Sequence, residues 1–69
     1  MSLLPKAFAV AYVRSDEPEK NYSRILPAEL FRGMYPGFKH FGIRANIGDS
    51  TILNLGPECW VIRALRDLP

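Results

Sequence analysis

The stretch Glu58-Cys59-Trp60-Val61-Ile62-Arg63-Ala64-Leu65-Arg66-Asp67-Leu68 decides the fold, because it admits two readings. Trp60, Val61, Ala64, Leu65 and Leu68 recur at helical spacing, whereas Cys59, Trp60, Val61 and Ile62 are side chains that favour a pleated surface. Residues 59–65 are read here as a strand, with the helix as the alternative. The choice sets the balance between a β-dominated and a mixed architecture.

Working back towards the N-terminus, Gly56-Pro57 punctuates the chain. Before it, Phe41, Ile43, Ala45 and Ile47 alternate with His40, Gly42, Arg44 and Asn46. Gly48-Asp49 then reverses the chain into Thr51-Ile52-Leu53-Asn54-Leu55. This pattern predicts a β-hairpin over residues 39–55. Pro36-Gly37 makes residues 34–38 a turn. Arg24-Ile-Leu-Pro-Ala-Glu-Leu-Phe-Arg-Gly33 predicts a helix of at most two turns, with Pro27 at its first position and Gly33 as its stop. Leu26, Leu30 and Phe31 would then face the core, and Arg24, Glu29 and Arg32 the solvent. Residues 16–23 are polar, contain Pro18 and read as a solvated loop. In residues 6–15 the bulky Phe8, Val10 and Tyr12 alternate with Ala7, Ala9 and Ala11, the period of a strand, with an alanine-rich helix as the alternative. Its alanine face would let a second layer or chain approach closely. The sum is a small β-rich α+β domain of three to four antiparallel strands and one short helix, a single domain over residues 1–69.

Size then constrains how such a domain holds together. Leu, Ile, Val and Phe supply 20 of 69 residues and the net charge is only +2, a composition that folds. A chain this short nevertheless draws only about 3 to 5 kcal/mol from one core. With one cysteine it forms no internal disulfide and no CxxC zinc knuckle, so the remaining staple is association, most simply a homodimer. The apolar start, Met1 to Val13, is interrupted by Pro5 and Lys6 and lacks a basic leader, and no apolar run reaches membrane-spanning length. The expectation is a soluble cytoplasmic or intravirion protein without a membrane partner.

Candidate chemistry is sparse. His40 has the right intrinsic pKa for a general base, but no nucleophile or orienting acid stands at useful spacing, and a surface histidine is the stronger reading. Cys59 follows Glu58, whose charge disfavours a thiolate, so it reads as a small hydrophobe. Asp16, Glu17 and Glu19 would need converging oxygens from elsewhere to hold a cation. The glycines fit no phosphate-cradling motif. The expectation is therefore a non-enzymatic chain with no cofactor and no metal site.

The basic residues carry more. Arg14, Arg24, Arg32, Lys39, Arg44, Arg63 and Arg66 are interleaved with Tyr12, Tyr22, Tyr35, Phe38, Phe41 and Trp60. Nucleic-acid surfaces and protein hot spots share that composition, and so does a solvated face around an aromatic core. The leading expectation is a nucleic-acid-binding regulator in which Arg24, Arg32 and Arg44 contact phosphates while Tyr35 or Phe38 stacks nearby. The alternative is a phage-encoded or bacterial inhibitor or adaptor, docking on another protein through Tyr35, Phe38 and Trp60.

Over Arg24-Ile-Leu-Pro-Ala-Glu-Leu-Phe-Arg32 the chain resembles the central motif of the AbrB-like, swapped-hairpin transcription regulators, where an arginine and β-branched residues run into Pro-x-Glu-Leu-Arg. The resemblance implies a strand joined to a short helix, hairpins exchanged between two chains, and DNA contact by Arg24 and Arg32, with Pro27 and Leu30 structural. The family's Lys-Gly-Arg entry is replaced here by Lys20-Asn-Tyr-Ser-Arg24, and residues 33–40 lack its Gly-Asp turn.

Overall fold

A computed structural model of the chain describes residues 4–68; the ends of the expected domain, residues 1–3 and 69, lie outside the described residues. The fold is α+β. Strands β1 (Ala7–Arg14), β2 (Tyr22–Pro27), β3 (Ser50–Leu55) and β4 (Glu58–Leu65) form one antiparallel sheet in the order β2-β1-β4-β3. Helices α1 (Ala28–Met34) and α2 (Lys39–Arg44) lie between β2 and β3 in the chain. No helix among the described residues is long and apolar enough to cross a membrane.

The period-two pattern of β1 does what it predicts. Residues directly opposite one another in antiparallel strands share a face, so Phe8 lies beside Leu26 and Ala64, Val10 beside Arg24 and Ile62, and Tyr12 beside Tyr22 and Trp60. This is the face that the helices cover. Its centre is fully buried in Phe8, Val10, Phe31 and Ile62, and the Phe8 and Phe31 rings stack with centroids 4.3 Å apart. The disputed stretch is strand, because the central position of β4 demands residues that fill both faces. Ile62 and Ala64 complete the core, and Trp60 packs 5.1 Å from Tyr12.

Two predicted elements differ. Residues 24–33 are not one helix: β2 runs to Pro27, which acts as the helix cap, and α1 begins at Ala28, whose amide donates to the Lys6 carbonyl at 2.9 Å. The edge of the sheet captures Arg24 to Leu26 because β1 offers a complete ladder, which outweighs local helix preference. Within α1, Phe31 is buried while Leu30 is half exposed, so Leu30 is not a core anchor. Arg32 turns inward towards α2, since its Nε donates to the Gly42 carbonyl at 2.7 Å.

The second difference is the hairpin. Residues 39–44 form α2, so the domain has two short helices instead of one, and residues 34–38 close α1 and add a 3-10 turn over Pro36–Phe38. The hairpin that does form joins β3 to β4 through Gly56-Pro57. A positive φ of 59° at Gly56 followed by proline's fixed negative φ suits the tight two-residue reversal. The loop at residues 16–21 holds one 3-10 turn, Pro18–Lys20, before β2 starts at Tyr22.

Candidate nucleic-acid interface

Charge is sorted along this fold by which carboxylates find a cation. Arg14, at the end of β1, lies beside Asp16 (Nε to Oδ1, 2.8 Å), Glu17 (3.5 Å) and Glu58 (3.9 Å), and Lys20 reaches Glu17 at 3.2 Å. The Tyr12 hydroxyl donates to Glu58 at 2.8 Å. The hydrogen bond from Arg14 holds the Asp16 carboxyl below its ordinary pKa. Donation to Glu58 in turn keeps the Tyr12 phenol protonated to higher pH than usual. At the far end Lys6 stands 3.9 Å from Asp67. Four of the seven carboxylates are consumed in this way, and Asp49 closes the turn before β3 by accepting the Asn46 amide at 2.9 Å.

The helical layer is left cationic. Among the described residues, Arg24, Arg32, Lys39 and Arg44 have no carboxylate within 4 Å, as is true also of Arg63 in β4 and Arg66 just beyond it, and Glu29 is the one acidic residue in α1 or α2. On α2, Lys39, His40, Ile43 and Arg44 follow one another at spacings of one, three and one, which places them on one side of the helix. They line an open hollow of about 410 Å³. Lys39 and His40 were not among the sequence-predicted contacts. In a hairpin Lys39 would lie on the opposite face from Arg44, and the helix is what unites them.

The three predicted arginines therefore have different settings. Arg44 is exposed on α2 and lines the hollow. Arg24 is exposed at the β2 edge on the helix-covered face, its guanidinium 4.5 Å over the Tyr22 ring. Arg32 is half-buried, with Nε committed to the main chain of α2.

The predicted recognition aromatics are packed inward. Tyr35 stacks on Phe31 at 5.3 Å, Phe38 lies 6.4 Å from Phe31, and Trp60 leans on Tyr12; all three are partly buried against the core. The Tyr35 and Tyr22 hydroxyls meet at 3.1 Å, and burial, reinforced by that hydrogen bond, raises the Tyr35 pKa. Rings stacked this way have little free face for a nucleobase. The geometry around Arg24 and α2 thus suits charge contact better than base stacking.

The opposite face of the sheet is bare. Ala9, Ala11, Ser23, Ile25 and Val61 border a shallow hollow of about 520 Å³, with Cys59 half-buried nearby between Val13 and Asn54. Among the described residues no three of His, Cys, Asp and Glu are grouped to hold a metal ion. No family model matches the chain, and no curated protein or solved structure is significantly similar to it.

Proposed function

We propose that this chain is a non-catalytic nucleic-acid-binding module, acting as a homodimer, that holds the phosphate backbone through the exposed cations of its helical layer. Lys39 and Arg44 on α2, with Arg24 at the β2 edge, are the contacts; Arg32 positions α2. The observation that carries this reading is the sorting of charge. Outside the helical layer six carboxylates balance five cations, the unpaired Arg63 and Arg66 among them, whereas Arg24, Arg32, Lys39 and Arg44 face only Glu29, so the net positive charge falls on the helical layer. Phosphate contacts of this kind fix register without reading sequence.

The experiment is a titration of a labelled duplex at 50 and 200 mM salt. Three phosphate contacts on each chain, six for the homodimer, give a slope of log K against log salt of about −5.4, so affinity should fall about 1,800-fold between the two conditions. Absence of salt-sensitive binding at micromolar protein would defeat the proposal. One observation favours the protein-docking alternative: Leu30, Met34 and Ile43 are each about half exposed on the same helical layer. A partner protein that binds and is lost on Ile43→Glu, with no duplex binding at either salt, would select it.

A further inference from the structure

Both edges of the sheet are open, and they differ in whether they can pair with themselves. An edge strand presents unpaired amides and carbonyls, and proteins ordinarily blunt it with charge, proline or a bulge. Strand β3, Ser50-Thr-Ile-Leu-Asn-Leu55, contains no charge and no proline. Ile52 is the most exposed large hydrophobic side chain among the described residues, at 61%. We infer that β3 is the seam of the homodimer, pairing antiparallel with β3 of a second copy across a two-fold axis at Ile52.

Hydrogen-bond parity fixes the register. The Ala64 amide donates to the Asp49 carbonyl at 2.8 Å, so by the antiparallel alternation Thr51, Leu53 and Leu55 turn their main-chain groups towards β4. Ser50, Ile52 and Asn54 turn theirs outward. A two-fold through Ile52 sets these three against Asn54, Ile52 and Ser50 of the second copy, forming six main-chain hydrogen bonds. The side chains agree: Ile52 meets Ile52, Ser50 meets Asn54, and on the other face Thr51 meets Leu53. No pair brings like charges together.

The other edge fails the same test. The Ala28 amide bonds the Lys6 carbonyl, so in β2 the outward residues are Ser23, Ile25 and Pro27, and Pro27 has no amide to donate. Self-pairing of Ser23 against Ile25 puts Arg24 opposite Arg24, and self-pairing about Ile25 sets Ser23 against Pro27 and forms only four main-chain hydrogen bonds. Like charges repel in the first register and the Pro27 bonds are missing in the second, so β2 is the poorer seam and β3 joins. The occupant of β3 is a second copy because Ser50 to Asn54 is complementary to itself.

This inference rests on the homodimeric half of the proposed function and is tested apart from the nucleic-acid half. Sedimentation of the full chain across micromolar concentrations should give twice the chain mass. Ile52→Lys, which sets two ammonium groups on the axis, should give a monomer with unchanged circular dichroism, its association weakened at least about tenfold. Ile25→Lys, the same change at an exposed isoleucine of the free edge, should stay dimeric. Hydrogen exchange provides an independent readout: the Ser50, Ile52 and Asn54 amides should be protected in the wild type and exchange fast in Ile52→Lys. A monomeric wild type, or an Ile52→Lys variant that remains dimeric with those amides protected, would overturn the seam. Duplex binding by monomer would leave the phosphate contacts standing.

Discussion

Arg32 and Gly42 lock the two helices together: the Arg32 Nε donates to the Gly42 carbonyl at 2.7 Å, and the Arg32 stem lies where a Gly42 side chain would be. A Cβ on Gly42 would sit 3.1 Å from Arg32 Cγ and 3.3 Å from Phe31 Cε2. Helices of seven and six residues are too short to persist alone, so this contact and the burial of Phe31 are what hold them.

Gly42→Ala is expected to destabilise the domain although alanine is the better helix former by about 1 kcal/mol. Arg32 is pinned by its hydrogen bond and Phe31 is fully buried, so neither yields the needed few tenths of an ångström easily. Overpacking costs about 1 to 3 kcal/mol, which leaves a net loss of about 1 kcal/mol, or a Tm lower by about 4 to 8 °C. A thermal melt at fixed concentration reads it, and a Tm at or above that of the wild type would contradict the clamp.

Phe31→Ala should leave the isolated chain unfolded. The cavity penalty of about 3 to 5 kcal/mol matches the whole stability expected of a core this small. Phe31→Leu, losing about 1 to 2 kcal/mol, should still fold with a lower urea midpoint. Circular dichroism under urea separates the two outcomes.

Acid should weaken the Arg14 cluster in a stated direction. The folded Asp16 pKa lies below its unfolded value, so its contribution is present above about pH 4 and is lost as pH falls through the folded value. Asp16→Asn should lower stability at neutral pH and flatten the pH dependence below about pH 4. Urea midpoints for both proteins between pH 2 and 7 measure it; parallel curves would show that Asp16 is not linked to folding. The side chains are solvated, so the effect is small.

Much of the sheet was legible because Phe8, Val10 and Tyr12 put bulk on a strict period in β1, while in β4 the run Cys59 to Ile62 favoured a strand by residue type. An edge strand has less to show. Tyr22, Ser23, Arg24 and Ile25 are all exposed, so β2 has no apolar alternation, and it divided between the predicted loop ending at Ser23 and the predicted helix starting at Arg24. The alternation of Phe41, Ile43, Ala45 and Ile47 misled for a different reason. Six residues make less than two helical turns, too few for a 3.6 period to appear, and what makes α2 helical is its clamp to Arg32, ten residues away. The charge sorting could not be read in advance either, since Arg14 and Glu58 meet across 44 residues of chain. Arg24 and Arg44 were picked out from residue type alone, and Lys39 joins them only through the helix.

The most direct test of the phosphate-binding account is the salt dependence of duplex affinity for the wild type and for Lys39→Gln/Arg44→Gln, both changes lying on the exposed side of α2. Removing two contacts from each chain of the homodimer should reduce the slope of log K against log salt by about 3.6, from about −5.4 to about −1.8, and weaken binding similarly for unrelated duplex sequences. An unchanged slope in the double variant, with its fold intact, would contradict it.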